Sequence, residues 1–474
     1  VTPVHKNDDM GERLMALSNL YEQHIEEIIQ RHTRAMEFHG YRRLVVYSGA
    51  LKLPFLDDNH YTFKVNPHFK HWVPLLEHPQ CAIDFRIGEK PRLIYFQPED
   101  YWHKPPADPE GYWTAAFDIE LATSFEDVVR ALDGDISGCA LIGDESSCLP
   151  SLPKSQVNPQ GLIDELHYHR AFKTDYEAEC LRRANRRSAA GHLEAETAFL
   201  AGGTELDIHH AYLRGAGVLE AELPYANIVA VNEHSSVLHY HGADRTRMSP
   251  ADVHSLVIDA GADYLGYASD ITRSYAFRRG EYAELLGTLD AAQQTLVSEV
   301  TIGQKFSDLH WRAHALIAGI LQDFDFVMMS PKDMVSEGIT QVFFPCGLGH
   351  FIGLQVHDVG GYLMAPRERP QLRDPRAPYL RLARRVEAGQ ALTIEPGIYF
   401  MDMLLRELSR SKHSYKVNWD KIDAFKKYGG VRVEDCILVH QNRVENQSRD
   451  AFAALAANAA DASRLVVNPT DTIL

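Results

Sequence analysis

Four carboxylates and one histidine in this chain lie inside stretches that otherwise read as buried strands or tight glycine turns. They are Asp259 in Leu256-Val-Ile-Asp-Ala-Gly261, Asp270 in Ala268-Ser-Asp-Ile-Thr272, and His350 in Gly347-Leu-Gly-His-Phe-Ile-Gly353. Glu395 follows in Leu392-Thr-Ile-Glu-Pro-Gly397, and Glu434 in Val431-Arg-Val-Glu-Asp-Cys-Ile437. An ionised side chain is tolerated in such a setting only when it is paired or coordinated. Any one of the five also fits a solvated or ion-paired side chain. Together, in Gly- and Pro-bounded apolar contexts, they need a shared reason to be inside. Four carboxylates at close quarters repel one another and raise some of their own pKa values. Two dications would turn that repulsion into attraction.

Carboxylate oxygens with a single imidazole make a hard to borderline donor set, which favours Mn²⁺, Co²⁺, Fe²⁺ or Zn²⁺ over thiophilic metals. Two such ions held about 3.5–4 Å apart can share a hydroxide, a competent nucleophile near neutral pH. Asp259 and Asp270 can meet if the strands that carry them pair in register.

A chain of 474 residues exceeds one ordinary core, so two domains are expected. Apolar residues at 45% and aromatics at 10% suit a soluble globular protein. The net charge of −17 argues against a nucleic-acid partner. Six cysteines without a CxxC pair suit a reducing cytoplasm. Val1 to Asn7 lacks the basic and apolar runs of a signal peptide, and no apolar run reaches the ~20 residues of a membrane span. A soluble cytoplasmic protein with no membrane partner is therefore expected.

Leu14, Leu17, Tyr21, Ile25 and Ile28 recur at helical spacing and lay one apolar stripe along a first helix. Strand signals follow at Leu44–Tyr47, Cys81–Phe85, Leu93–Phe96 and Ala140–Ile142, which reads as a small N-terminal α/β domain over residues 1–166. Thr174 with Glu177 three residues later has the pattern of a capping box opening a long helix. From residue 174 to 474, helices over about 174–201 and 281–299 alternate with β-rich segments. Val253–Phe277 reads as two strands joined by a turn around Gly261 to Gly266. The expected fold class is α+β, with a curved, mostly antiparallel sheet in the C-terminal domain. Ala365–Pro378 reads as a long exposed loop, and the tail from Ala457 as alanine-rich and then polar, its last dozen residues poorly ordered.

The ordered set Ile258-Asp-Ala-Gly261, Asp270-Ile-Thr-Arg273, Gly347–Asp358, Ile394-Glu-Pro-Gly-Ile-Tyr399 and Arg432-Val-Glu-Asp435 resembles the pita-bread metallopeptidases. It is most similar to the bacterial prolidases (Xaa-Pro dipeptidases), among them the organophosphorus acid anhydrolases. Phe55-Leu-Asp-Asp58, Phe63-Lys-Val-Asn-Pro67 and Tyr101-Trp-His103 resemble the N-terminal domain of the same enzymes, so the likeness covers nearly the whole chain. It implies a homodimer of two-domain chains, each with a creatinase/aminopeptidase-like pita-bread domain that binds two metal ions, commonly Mn²⁺, with Co²⁺ or Zn²⁺ as alternatives. Asp259, Asp270, His350, Glu395 and Glu434 would be ligands, with Asp270 and Glu434 bridging. His239 and His357 would stabilise charge on the scissile carbonyl oxygen, and Glu395 would shuttle the proton. Arg381 would grip the dipeptide's terminal carboxylate through its guanidinium fork. Arg432 and Tyr225 would stand near the substrate, and Asp58 would reach a dimer partner's pocket.

Other readings stand beside these. His239 and His357 also fit ordinary core histidines, and Arg381, in a run with Arg384 and Arg385, also fits a solvated face. His209, His210 and His241 read as structural or surface residues. Cys346 stands where the resembling enzymes usually carry a histidine, and Phe306 where some carry a tyrosine, so a pocket donor and a hydroxyl are lost. The implied reaction is hydrolysis of the imide bond in Xaa-Pro dipeptides, with attack on phosphotriesters or fluorophosphates as a side activity. An aminopeptidase P acting on longer peptides is the nearest alternative. A weakly active relative is a further alternative, since Cys346 removes a pocket donor; a metal-free creatinase-like hydrolase or a non-catalytic peptide binder would be expected to lack the ligands.

Overall fold

In the computed structural model, residues 5–466 are described, with side chains over 17–457. The start of the N-terminal segment, the side chain of Leu14 and the end of the C-terminal tail lie outside the described residues. The chain forms two compact units. One comprises residues 1–180 with Ala365–Arg369, the other residues 181–364 with 370–474.

The first unit opens with the helix His5–His39, whose Leu17, Tyr21, Ile25 and Ile28 are buried as their spacing requires. Its five-stranded sheet runs in the order Asp118–Ala122, Arg92–Phe96, Ala82–Arg86, Arg43–Tyr47, Cys139–Ile142. The two outer pairs are parallel and the inner pairs antiparallel. The strand Asp118–Ala122 offers only Ile119 and Leu121, alternating with acidic residues, as an apolar signature. It is an exposed edge strand, and Arg92 bonds its Glu120 at 2.5 Å. Charge on an edge strand discourages pairing with other chains.

Thr174 and Glu177 form the expected capping box, with Thr174 N donating to Glu177 Oε2 at 2.9 Å and Glu177 N to Thr174 Oγ1 at 3.3 Å. The helix it opens runs over Asp175–Leu200.

The named strands of the second unit pair antiparallel throughout. One sheet orders Ile271–Ala276, Ser255–Ala260 and Ile228–Val231; another orders Ala391–Ile394, Asp435–Val439 and Val444–Asn446. Gly397–Tyr399 pairs with Gly430–Arg432. Leu256, Ile258 and Ala260 pack with Phe199, Ile208 and Tyr212 of the helices Asp175–Leu200 and Glu205–Ala216. Side chains alternate along a strand, so Asp259 is delivered to the opposite face. The hairpin turn falls on Leu265 (φ 52°) and Gly266 (φ 90°), narrower than the Gly261–Gly266 span expected. Two consecutive positive φ values suit the right-handed twist of the strands they join. The alanine-rich tail continues as a helix, Gln447–Val466.

Candidate metal centre

Asp259 lies opposite Thr272 in the antiparallel ladder, and Thr272 in turn faces Glu434 across a bridge between strands. Asp270 and Thr272 are two residues apart, as are Arg432 and Glu434, so alternation turns each pair to one side. His350 arrives differently. The Gly347–Gly353 segment lies along Ala391–Glu395, where Thr393 N donates to His350 O at 2.9 Å and Glu395 N to Leu348 O at 2.8 Å. Gly349 is required at this seam, because any Cβ there would collide with the Thr393 carbonyl. The registration fixes His350 and Glu395 relative to each other.

The five residues meet. His350 Nε2 stands 3.4 Å from Asp270 Oδ2, 3.6 Å from Glu395 Oε1 and 4.0 Å from Glu434 Oε1. Ligand atoms of Asp270, His350 and Glu434 all lie within 4.8 Å of one another. Asp259 joins through Tyr225, whose hydroxyl is 2.7 Å from Asp259 Oδ1 and 2.6 Å from Asp270 Oδ1. Asp270, His350 and Glu434 are buried at 5%, 3% and 2% exposure. His350 Nδ1 meets Phe351 O at 2.9 Å. A proton held on Nδ1 leaves the Nε2 lone pair facing the carboxylates, the arrangement of a ligating imidazole.

The electrostatics expose a shortage of positive charge. Burial pushes the Asp259 carboxyl up to about 6 against the pull of Arg432, and the Glu395 carboxyl up to about 7 against His350. Glu434 is driven well above the usual carboxylate range by burial and by Asp270 and Glu395. Burial pushes Asp270 the same way, but His350 more than reverses it and Asp270 ends below its ordinary value. Four carboxylates share one imidazole and one buried guanidinium, and a divalent cation fits that deficit.

Arg432 is the guanidinium. It donates to Asp259 Oδ2 at 2.6 Å, to the Tyr399 hydroxyl at 3.0 Å and to Thr272 Oγ1 at 3.0 Å, while Thr272 Oγ1 donates to Glu434 Oε2 at 2.8 Å. Thr272, Thr393 and Tyr399 were not singled out in the sequence. For Thr272 the signal was present, since it shares a strand face with Asp270.

The remaining candidates divide. The His357 ring lies edge-on to His350, centroids 4.5 Å apart, and is exposed rather than part of the core. Crowding by the surrounding protein, and then the charge of His350, lowers its pKa to about 3. His239 is also exposed, and its pKa is lowered by desolvation and by His241, Arg432 and Arg381. The core-histidine alternative therefore fits neither. Arg381 and Arg385 are exposed, but Arg384 is buried at 1%, so the run is not a uniform solvated face. Cys346 is half-buried, within reach of the Tyr399 hydroxyl and the charge of Glu395. Burial pushes its thiol up to about 12, so it stays protonated. Phe306 lies in the core, its N–H on Arg384 O at 2.9 Å. Asp58 belongs to the first unit and is exposed on the loop after Arg43–Tyr47. All six cysteines are free. Among the described residues no helix is long and apolar enough to cross a membrane.

Comparison with known proteins agrees with this geometry. Residues 179–441 match metallopeptidase family M24, and residues 19–168 match the N-terminal domain of Xaa-Pro dipeptidases. The chain belongs to metallopeptidase family M24. It is 43% identical to the Xaa-Pro dipeptidase of Aeromonas hydrophila, over 92% of this chain and 100% of that one. It is 44% identical to the Xaa-Pro dipeptidase of Pseudoalteromonas translucida, over 92% and 98%. Solved structures of aminopeptidase PepP of Pseudomonas aeruginosa and aminopeptidase P of Escherichia coli share the fold, with TM-scores of 0.68 and 0.67 at 19% identity. Each alignment covers 92% of this chain and 99% of the other. The M24 domain here thus has the expected pita-bread fold.

Proposed function

We propose that this M24 enzyme hydrolyses the imide bond of Xaa-Pro dipeptides, with Asp259, Asp270, His350, Glu395 and Glu434 holding two divalent ions, Mn²⁺ by likeness to the family, with Co²⁺ or Zn²⁺ also suited to the donor set. The observation that carries the reading is the buried carboxylate–imidazole cluster, in a chain similar along its length to Xaa-Pro dipeptidases. When bound, the metal supplies the Lewis acidity that ionises a water and polarises the scissile carbonyl. Glu395, less buried than its neighbours, would take the proton from the attacking water and pass it to the departing proline nitrogen. His239 and His357 resist protonation, so both would act as neutral donors toward the carbonyl oxygen. Arg381 would bind the proline carboxylate as a fork. Arg432 and Tyr225 would bound the substrate side while their hydrogen bonds orient Asp259.

The N-terminal α/β domain, residues 1–166, would supply the dimer surface and the pocket edge. Phe55 and Leu56 are 92% and 91% exposed on the loop that carries Asp58, an apolar tip suited to a second copy. Free cysteines suit a cytoplasmic setting. Phosphotriester and fluorophosphate hydrolysis has no support in the site or the relatives.

The test is release of proline from Ala-Pro and Leu-Pro by purified protein with Mn²⁺, alongside metal analysis. About two metals per chain and rapid turnover of the dipeptide over Ala-Pro-Ala are expected. No proline release, or a preference for the tripeptide, would overturn the assignment.

A further inference from the structure

Arg381 lies on a segment with no regular secondary structure, yet a guanidinium can select a carboxylate at fixed distance only if its backbone is held. The hold converges on one side chain. The Tyr362 hydroxyl donates to Leu380 O at 2.5 Å, directly before Arg381. Gln371 N donates to Tyr362 O at 2.8 Å, so Tyr362 ties both limbs of the loop between them. Arg373 lies 5.1 Å over the Tyr362 ring and donates to Pro378 O at 2.9 Å. Next to Tyr362, Gly361 packs against the Arg381 carbonyl so closely that a Cβ would collide with it, and Ala383 N donates to Gly361 O at 2.9 Å. On the other side, a Cβ at Gly347 would come within 2.9 Å of Leu380 Cα. Gly347 begins the segment that carries His350, so the arm bearing the arginine is keyed to the arm bearing a proposed ligand.

We infer that Tyr362 is a positioning residue. It sets where Arg381 stands relative to the carboxylate cluster, and so tunes the preference for a substrate with a free carboxylate on the proline. This rests on the dipeptidase reading and adds to it the residue that fixes the spacing.

The test compares Ala-Pro with Ala-Pro amide in wild type, Tyr362→Phe, Arg381→Ala and the double variant. Losing one hydrogen bond of about 1 kcal/mol corresponds to roughly a 5-fold change. Tyr362→Phe should raise KM for Ala-Pro about 5-fold, leave kcat within about twofold, and leave the amide unchanged. In the Arg381→Ala background it should add nothing. Arg373→Ala, which leaves the hydroxyl in place, should act in the same direction with a smaller effect. Equal losses on both substrates, a fall in kcat alone, or an additive double variant would each overturn the inference. Calorimetric binding of a reduced-amide Ala-Pro analogue separates this from failure of the dipeptidase reading. If the wild type releases no proline, that reading falls. Equal analogue affinity in wild type and Tyr362→Phe would still refute the positioning role, and affinity weaker by about 5-fold would support it.

Discussion

Each unit buries a knot of ionisable side chains, and the two meet the cost of burial in opposite ways. In the first unit His24, His32, His68 and His71 lie beneath the surface together with Arg170 and Glu177. Burial lowers the pKa of all four histidines, to about 4 for His24 and about 3 for His32, so they are neutral at pH 7. His24 bridges Thr174 Oγ1 and His71 O, and His32 bonds Ile28 O. The second unit crowds four carboxylates whose ordinary state is charged, and their few cationic neighbours leave a deficit. A buried imidazole that becomes neutral near physiological pH needs no counter-charge. A set that must lose several charges asks for a ligand.

The sharpest break in this comparison is a substitution inside the carboxylate cluster. Glu434→Gln keeps the shape and an acceptor for Thr272 but removes one charge. It should lower kcat/KM by more than the roughly 100-fold that loss of an outer partner produces, and lower the metal count per chain. Full metal content with near wild-type turnover would remove Glu434 from the site.

Acid should affect the histidine knot next. A histidine whose folded pKa lies below its unfolded value is protonated first in the unfolded chain. Its neutral burial is therefore fully tolerated above about pH 6.5, and stability is lost as the pH falls from 6.5 toward 4. The fall is about 3 kcal/mol for His24 alone. Trp72, whose ring centroid lies 4.6 Å from that of His32, offers a fluorescence readout. His32→Leu should move the acid midpoint to lower pH, and an unchanged midpoint would show that burial of this imidazole does not govern it.

The same contrast explains what the sequence could disclose. The five cluster residues were legible because a charged side chain in an apolar strand violates its surroundings, and the strands around Asp259, Glu395 and Glu434 kept their pattern in the fold. The capping box at Thr174 was legible for a local reason, since both bonds lie within four residues. The histidine knot was invisible. His24, His71 and Glu177 come from three different helices, and a histidine on an amphipathic helix violates nothing. Tyr399 was missed because hydroxyls are common in strands and its role exists through Arg432, whereas Thr272, which also donates to Glu434, could have been found from the strand face it shares with Asp270. The edge strand Asp118–Ala122 escaped because its charge masks its extended form.

Metal should distinguish the two units by stability. At a free Mn²⁺ concentration of about 100 Kd, binding adds about 2.7 kcal/mol to the folded state. Chelation should therefore lower the melting temperature of the M24 domain while leaving the Trp72 signal of the first unit unmoved. Equal loss at both would mean that the histidine knot also depends on the ion.

The smallest effect probes the one carboxylate in the histidine knot. Glu177 is fully buried, and burial alone would raise its carboxyl. Its contacts with His71, 3.5 Å away, and His24 more than reverse this and hold it well below the usual range. Its charge therefore stabilises the first unit above the ordinary glutamate pKa, and that contribution is lost as acid approaches the depressed value. Glu177→Gln preserves the capping bond from Thr174 N but removes the charge facing His71, at a cost of about 2 kcal/mol at pH 7. Denaturant titration should record the loss, with kcat and metal content per folded molecule unchanged. A variant that instead loses metal would tie the two clusters together, and the histidine knot would then have to be counted as part of the metal site rather than as its self-sufficient counterpart.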